Sequence, residues 1–493
     1  MASLNRRRIA CLALLVVALA PWGSAAPAGA QQGSRPFKTS VVPRADAVAD
    51  LDALFRSIES IHPDPYWSRS RESVESDRQR LVATLPDTMT LAEWWIRLSP
   101  LVASLGDGHT EITPPEGQSG PSEALERDRP FPRGVGLDDA GHLLVTSAGR
   151  DTGGLQRGDR ILAINGRSAD GLVADWIRET SGDTEPHRAV SVIDRFPALL
   201  SIHSIEPPYT LTVAGAGGGA RTVALADTPA PPVVQARPRV PVQPNFAYRV
   251  LEPGVGYMNF YAMGGDWSRF TEAVAGMFRQ VAADSARTLI VDLRVNGGGD
   301  PAFGNEVLRY VTSTPYRNRS RREVKRSREL RDFAKSEISA PLRILPLKYL
   351  VPDARRLYAG AIGTLAVWPE PPLRTPKRAE PFFDGRVCVL TGPRTFSAAV
   401  ILADTIKTYR LAALVGEETG GRPNMYGEWL AYALPRSGLV ASIATARSVR
   451  ANGDAGDRTG VIPDIVVKTT ATDIRAGRDP VLARARDCPA VHG

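Results

Sequence analysis

Cysteine is scarce in this sequence. Only three occur among 493 residues, at positions 11, 388 and 488, and no cluster of cysteine and histidine has the spacing of a metal site. No metal centre and no other cofactor is therefore predicted. Cys388 lies in an apolar run that is typical of a buried thiol. A bridge between Cys388 and Cys488 is permitted in an oxidising compartment, but sequence spacing alone does not decide it.

Long apolar runs are also lacking. The run at residues 9–20 follows three arginines, Arg6 to Arg8, and precedes the small-residue string Ala28-Gly29-Ala30. A membrane-spanning helix needs about 20 apolar residues, so this run is too short to be an anchor. The pattern instead predicts a signal peptide over residues 1–30. We therefore expect an exported protein, periplasmic or secreted, with no stable membrane span once the signal is removed.

The excess of positive charge is small. The net charge of the full sequence is +8, and residues 1–30 contribute three arginines and no acid, which leaves +5 (8 minus 3) for the mature chain. Residues 317–335 hold nine Lys/Arg against three Asp/Glu. No nucleic-acid-binding motif accompanies them, so this run indicates a solvated helix on a surface insertion, and no nucleic-acid partner is predicted.

The first part of the mature chain, residues 31–115, reads as helical. An apolar stripe at helical spacing covers residues 46–61, and Thr90 with Glu93 forms a capping box before a second apolar run at 94–105. The helical pattern ends at the string GDGHT, residues 106–110, because two closely spaced glycines terminate a helix and begin a loop.

Residues 116–226 read as a β-domain. The string GLQRGDRILAINGRSADGL at 154–172 resembles the PDZ signature, in which a hairpin precedes a helix, and its Asn165-Gly166 pair is a strong turn signal. A generic small β-domain is the alternative. A PDZ-type groove binds an extended chain as an added strand and can capture a terminal carboxylate. In this region Gly134, Val135 and Gly136 are the residues expected to bind substrate.

Residues 227–246 form a stiff linker, because 227–244 contain six prolines. Beyond it, strands and helices alternate over 247–470, which predicts an α/β domain with a mostly parallel sheet. Strands are expected at 255–262, 288–293, 386–391, 411–416, 438–445 and 461–467, and helices at 266–284 and 397–409. Residues 315–384 are read as an insertion, a lid or a surface excursion. Residues 471–493 are a C-terminal tail.

Three loops carry residue types suited to acyl transfer. Ser397 follows a predicted strand at a helix start, where the helix N-terminus favours developing negative charge, although a serine there can simply cap the helix. Gly297 and Gly298, after another buried strand, allow close backbone approach, and together with the N–H of Ala398 they predict an oxyanion hole. A tight turn is the alternative for these glycines.

His109, in the string GDGHT, is the predicted general base. Histidine is the side chain most often used as a general base, and none of the other five histidines lies in a comparable glycine-framed loop. A lone histidine is more often structural. The two other loops favour the catalytic interpretation.

The strings DLRVNGGG, TFSAA, GEETGGRPNMYGE and TGVIPDI, in this order after a PDZ-like segment, are similar to those of the S41 family of serine peptidases, which includes tail-specific and tricorn-type enzymes. The resemblance covers about residues 45–470. It implies an α/β multi-domain chain with a crotonase-like α/β catalytic domain, a PDZ-like β-domain and an N-terminal helical region. It also implies cleavage of peptide bonds, often near carboxyl termini of peptide or protein substrates.

Branches of this family differ in the base. The tail-specific branch has a lysine where this sequence has Arg422, and arginine stays protonated and cannot act as a base. The resemblance is therefore to the histidine-containing branch, although Gly108 stands where the tricorn pattern has serine. The acid that orients the histidine corresponds to Asp457, and Glu428 is the competing candidate.

Together these features predict an exported serine peptidase that forms an acyl-enzyme on Ser397. The main alternative is a non-catalytic protein that binds a peptide or a hydrophobic ligand with the same fold. An acyl-CoA enzyme on a crotonase fold is disfavoured by the signal peptide, since CoA chemistry is cytoplasmic. The sequence does not determine the oligomeric state.

Overall fold

The computed structural model describes residues 36–114, 131, 134–147, 154–225, 245–336, 352–371, 373 and 375–489. The predicted signal peptide and nearly all of the predicted linker lie outside these residues. Within the described part of the chain, no helix combines the length and the apolar character needed to cross a bilayer.

The N-terminal region is helical, as predicted. Its apolar stripe is buried along the first helix, and the capping box is present, since Thr90 Oγ1 accepts from Glu93 N and a Glu93 carboxylate oxygen accepts from Thr90 N. The elements are β1 (Val41–Pro43), α1 (Arg44–Ile61), α2 (Arg71–Thr84), β2 (Thr88–Thr90), α3 (Leu91–Ala103) and β3 (Glu111–Ile112). The loop between α3 and β3 contains His109.

The described part of the second region, residues 131, 134–147 and 154–225, contains one sheet and three helices. The elements are β4 (Val135–Leu137), β5 (Leu143–Val145), β6 (Arg160–Ile164), β7 (Arg167–Ser168), α4 (Ala169–Glu179), α5 (Glu185–Asp194), α6 (Phe196–Ile202), β8 (Thr210–Ala214) and β9 (Ala220–Ala224). The strand order is β4-β5-β6-β8-β9, with β7 paired to β6. The predicted hairpin is present, because Asn165 and Gly166 both have the positive φ that a type I′ turn requires.

One hydrophobic core joins this sheet to the N-terminal helices. Trp94 and Trp95 of α3 and Trp176 of α4 are fully buried in the same cluster, which also includes Ile443 from the far end of the chain. The predicted boundary between residues 115 and 116 is therefore not a boundary between hydrophobic cores. Helices α5 and α6 were not predicted.

A six-stranded sheet forms the centre of the third region. Its order is β10-β11-β12-β15-β16-β19, and all pairs are parallel except β10 with β11. The elements are β10 (Phe246–Glu252), β11 (Val255–Phe260), α7 (Trp267–Ala283), β12 (Thr288–Asp292), α8 (Pro301–Leu308), β15 (Arg386–Thr391), α11 (Ala398–Tyr409), β16 (Ala413–Gly416), β19 (Ile465–Val466), α12 (Ala471–Ala476) and α13 (Pro480–Ala485). The predicted strand at 461–467 is reduced to two residues.

Helices cover both faces of this sheet, because its strands are apolar on both sides. Helices α7, α8 and α11 pack on one face and α13 packs on the other. Cys388 in β15 forms a disulfide with Cys488, which follows α13. The expectation of a free buried thiol at Cys388 is therefore wrong; packing of α13 brings the two Cα atoms to 6.4 Å.

A second sheet contains the predicted insertion. Its strands are β13 (Arg321–Lys325), β14 (Leu365–Pro369), β17 (Tyr426–Ala433) and β18 (Val440–Val449), in the order β14-β13-β18-β17. The described residues of the insertion also form helices α9 (Arg328–Ser336) and α10 (Pro352–Tyr358). The segment 315–384 thus contributes two strands to a sheet, which is more than the predicted lid or surface excursion.

The N-terminal region is tied to this second sheet. Strand β3 pairs antiparallel with β18, where Ile112 lies opposite Ala441, and Thr110 Oγ1 accepts a hydrogen bond of 3.0 Å from Ala444 N. This pairing fixes the His109 loop against a strand that lies more than 300 residues later in the chain.

Candidate active site

Ser397 lies at the end of a tight turn between β15 and α11. Its φ of +50° and ψ of −123° are unusual for a residue other than glycine, and such strain is typical of functional positions. The turn is held by Thr395 Oγ1, which donates 2.8 Å to Leu293 O, and by Phe396 N, which donates 3.0 Å to Asn296 O. Ser397 occupies the N-cap position of α11, but its side chain makes no capping hydrogen bond. Capping therefore does not explain this serine.

His109 lies beside this hydroxyl. Its Nε2 atom is 3.3 Å from Ser397 Oγ, although the two residues are 288 positions apart in the chain. The imidazole stacks on the ring of Phe396 with a centroid distance of 4.7 Å, and a Cβ atom built on Gly427 would lie 3.7 Å from its Cε1. The structure thus brings together the predicted nucleophile and the predicted base in a geometry that permits proton transfer.

Asp107 is the carboxylate beside His109. It is fully buried, accepts a 2.9 Å hydrogen bond from His109 N, and its Oδ1 lies 4.0 Å from His109 Nδ1. The other carboxylate oxygen lies 3.2 Å from Nε2 of the buried His62. Burial raises the pKa of Asp107, but the hydrogen bond with His62 and the charges of His62 and His109 outweigh it, so the pKa lies below its ordinary value.

Sequence reasoning missed both Asp107 and His62. The available signal was the position of Asp107 inside the string GDGHT, two residues before the histidine. The Nδ1 atom of His109 is buried and has no hydrogen-bond partner among the described residues, so Asp107 acts on the ring through charge at 4.0 Å.

The two acids predicted to orient His109 have other partners. Asp457 forms an ion pair with Arg450 and accepts 2.9 Å from Thr459 N. Glu428 forms an ion pair with Arg322. Neither carboxylate hydrogen-bonds or ion-pairs with His109 in the described part of the chain. Both acids occupy sequence positions expected for the orienting acid, but their side chains pair with nearby arginines.

The glycine loop after β12 lies against the nucleophile turn. Gly298 has φ +100°, and a Cβ atom built on it would come 2.7 Å from Ala398 N. Its own N–H donates 2.8 Å to the side chain of the buried Asn296, so this predicted oxyanion donor is already engaged. The N–H of Ala398, the first residue of α11, has no acceptor within its own helix. Gly297 lies in the open, with no atom within 4 Å of a Cβ built on it.

Arg422 does not approach the serine. Its guanidinium lies over the ring of Trp67, with Cζ 4.9 Å from the ring centroid, and donates to the carbonyl oxygens of Arg458 (2.6 Å) and Gly106 (3.2 Å). The side chain at position 422 is therefore directed toward Gly106, where the loop that contains His109 begins. No other base contacts Ser397 in the described residues.

A segment of the second region also reaches the site. His187 of α5 stacks on Phe396, with ring centroids 4.2 Å apart and an interplanar angle of 9°, and its Nδ1 lies 3.0 Å from Pro393 O. Burial lowers the pKa of His187 below its ordinary value. The ring that precedes the nucleophile therefore stacks with two imidazoles, those of His109 and His187.

The residues predicted to bind substrate lie on an edge strand. Val135 and Gly136 belong to β4, which ends the sheet of the second region and packs against α5, and Gly134 directly precedes it. No described hydrogen bond joins these residues to Ser397 or His109. Among the described residues, no group of histidines, cysteines and carboxylates is arranged to hold a metal ion.

Part of the chain matches a known protein family, and its structure is similar to solved structures. Residues 254–467 match the model of peptidase family S41. The structure of mature CPAF complexed with lactacystin is similar at a TM-score of 0.63 and 16% identity, over 88% of this chain and 95% of that chain. The structure of a putative peptidase from Parabacteroides merdae has a TM-score of 0.46 and 14% identity, over 90% of this chain and 96% of that chain. The structure of the photosystem II D1 C-terminal processing protease has a TM-score of 0.41 and 16% identity, over 86% of this chain and 93% of that chain. Comparison with curated protein sequences gave no significant match.

Proposed function

We propose that this protein, whose residues 254–467 match the model of peptidase family S41, is an exported serine-type peptidase that forms an acyl-enzyme on Ser397 with His109 as its general base. The observation that carries the proposal is the 3.3 Å approach of His109 Nε2 to a strained Ser397 whose hydroxyl does not cap its helix.

In the first half of the reaction, His109 Nε2 takes the hydroxyl proton of Ser397 as Oγ attacks the carbonyl carbon of the scissile peptide bond. The imidazolium then gives this proton to the leaving amine. In the second half, His109 takes a proton from water as the water oxygen attacks the ester carbon, and it gives this proton to Ser397 Oγ as the bond to the acyl group breaks and the carboxylic acid product leaves. Each proton that His109 accepts is returned, so the enzyme ends as it began.

Asp107 is proposed to stabilise the imidazolium. A buried anion 4.0 Å from Nδ1 favours the charged ring in a region of low dielectric constant. The depressed pKa of Asp107 keeps it ionised at neutral pH, and its hydrogen bond with His62 holds it in place. In this proposal Asp107 replaces the sequence-matched acids Asp457 and Glu428.

The oxyanion is proposed to form between Ala398 N and the glycine loop. Ala398 N lies at the positive end of α11, where a helix favours negative charge. Because Gly298 N–H is engaged by Asn296, the second donor is assigned to its neighbour Gly297, whose surroundings are open.

The substrate is proposed to be a peptide or protein, bound in part through its carboxyl terminus. Strand β4 lies at a sheet edge beside α5, and an edge strand next to a helix can accept an extended chain as an additional strand. Gly134 to Gly136 would then contact the terminal residues of that chain.

Export is supported by two independent features. The N-terminal residues have the three-part pattern of a signal peptide. The disulfide between Cys388 and Cys488 is of the kind that forms and persists in oxidising compartments such as the periplasm.

The decisive experiment is intact-mass analysis of the mature protein after treatment with a fluorophosphonate probe. We expect one adduct, on Ser397, which is lost in Ser397→Ala and strongly slowed in His109→Ala. His142→Ala is the matched control, since this histidine pairs with Asp138 on the surface of the β-domain and should label at the normal rate. Undiminished labelling of His109→Ala would assign the base elsewhere. A parent protein that does not label would favour a non-catalytic binding protein.

A further inference from the structure

Asp183 connects two loops of the active site. It lies between α4 and α5 and is fully buried. One carboxylate oxygen accepts a 2.8 Å hydrogen bond from Gly108 N, and the other accepts a 3.0 Å hydrogen bond from Arg422 N. Gly108 directly precedes the proposed base, and Arg422 follows the glycine pair at 420–421. A single side chain thus holds two backbone segments that are more than 300 residues apart in the chain.

Packing leaves no room for a side chain at position 108 between Asp183 and the nucleophile turn. A Cβ atom built on Gly108 would lie 3.2 Å from Asp183 Oδ1 and 2.7 Å from Cζ of Phe396. Phe396 immediately precedes Ser397. The position of the His109 loop relative to the serine is therefore defined by Asp183 on one side and by an aromatic ring on the other.

The residues after Asp183 bind the nucleophile side of the site. Thr184 Oγ1 donates 2.9 Å to Gly420 O, and His187 contacts both Pro393 O and the ring of Phe396. Residues 183–187 thus contact the base loop and the nucleophile turn at the same time. This arrangement sets the distance between His109 and Ser397 without touching either reacting atom.

The surroundings of Asp183 are unfavourable to a charge, apart from these contacts. Burial raises the pKa of this carboxyl group, and the nearby charge of Asp107 raises it further. Against this, two N–H donors aimed at its two oxygens match the ionised form. Leaving two buried N–H groups without an acceptor would itself be unfavourable. The buried carboxylate of Asp183 therefore depends on the two N–H donors, and each of the two loops depends on Asp183 for a hydrogen-bond acceptor.

We propose that Asp183 is a positioning residue for His109, supplied by the β-domain, that holds the base loop in register with the Ser397 turn. This inference rests on the proposed role of His109 as the base. It adds that catalytic geometry depends on the β-domain as well as on the N-terminal region that carries His109.

The test is Asp183→Asn, in which the amide oxygen can accept one N–H while the NH₂ group faces the other. A displacement of about 1 Å in a catalytic group reduces the rate by roughly 100-fold. We expect the fluorophosphonate labelling rate of Ser397 to fall by about 10- to 100-fold. We also expect kcat for a peptide substrate to fall with little change in KM, since Asp183 lies behind the base loop.

The chain provides a matched control. Asp50 in α1 is equally buried and accepts 2.8 Å hydrogen bonds from Arg436 N and Ser437 N, far from the site. Asp50→Asn removes the same type of bridge, so its Tm should fall by a similar amount while the labelling rate per folded molecule stays normal. If Asp183→Asn behaves like Asp50→Asn in both measurements, Asp183 is only structural and the proposal is wrong.

Amide hydrogen exchange tests the proposal without a measurement of activity. Exchange of residues 106–110 should be faster in Asp183→Asn and unchanged in Asp50→Asn. If the parent protein fails to label but this exchange difference is found, the proposed function fails and the positioning role stands. If exchange of residues 106–110 is the same in both variants, the positioning role is refuted whatever the activity.

Discussion

Replacement of Gly298 by alanine tests the proposed oxyanion hole. The added Cβ would lie 2.7 Å from Ala398 N and 2.8 Å from both Phe396 O and Ser397 Cβ, distances that real Cβ atoms essentially never show. All three neighbours belong to the rigid nucleophile turn, so the turn must shift, and the methyl group would cover the N–H of Ala398. Loss of one oxyanion donor reduces kcat by about 100- to 1,000-fold, equivalent to about 2.7–4 kcal/mol of transition-state stabilisation.

Backbone strain must be separated from this effect. The φ of +100° at Gly298 is unfavourable for alanine and destabilises the fold by roughly 1–3 kcal/mol. Gly438 provides the control, since its φ is +78° and a Cβ built on it meets nothing within 4 Å. Gly438→Ala should therefore lower Tm without changing kcat.

The assay is the steady-state kcat of both variants on a peptide substrate, with the folded fraction measured by thermal unfolding. The oxyanion argument predicts that Gly298→Ala loses turnover at temperatures where it is fully folded. A Gly298→Ala enzyme that is folded and retains kcat within about threefold of the parent would refute the assignment of Ala398 N as a donor, because such a change is far below the 100-fold expected for a lost donor.

Three further outcomes are expected. Introducing Arg422→Lys into His109→Ala should not restore labelling of Ser397, because the side chain at 422 is directed toward Trp67 and Gly106 O; recovery of labelling would contradict this geometry. Cys388→Ser and Cys488→Ser should each lower the free energy of unfolding by about 4–5 kcal/mol, since the bridge closes a loop of 100 residues, and the double variant should be no worse than either single one in urea unfolding. Burial lowers the pKa of His187, so the folded state holds the ring neutral while the unfolded chain takes up a proton below about pH 6.5; Tm should therefore fall on acidification from pH 7 to 5, and His187→Gln should flatten that fall. The charged and titratable groups that act on this ring are Asp183, His109 and Arg195. An unchanged slope in His187→Gln would contradict the assignment.

The loops that hold the proposed nucleophile and base were accessible from sequence for a local reason. Both lie at the ends of regular elements and are framed by glycine or small residues, so strand and helix periodicity ends visibly at each. The parallel sheet was likewise predictable, because its buried strands read as short apolar runs and most bounds agree within a few residues.

The partners of His109 could not be predicted in this way. Which of several acids lies beside an imidazole depends on side-chain directions within loops, and the sequence-matched Asp457 and Glu428 lie next to arginines that pair with them. Asp107 was hidden by its proximity to His109, since residues two apart in a loop have no fixed relative orientation. Asp183 accepts hydrogen bonds from Gly108 and Arg422, which are 75 and 239 residues away in the chain. No periodic pattern in the sequence predicts such contacts.

The pairing of β3 with β18 has a consequence for the order in which the chain is made. Domains at the N-terminus emerge and fold first during synthesis. The histidine at position 109 is made early, but the strand that anchors its loop ends at Val449, after the serine has also been made. A nascent chain, or a fragment cut short before β18, therefore lacks the strand that helps to hold His109 beside Ser397. The topology therefore delays assembly of this pair until nearly the whole polypeptide has been produced.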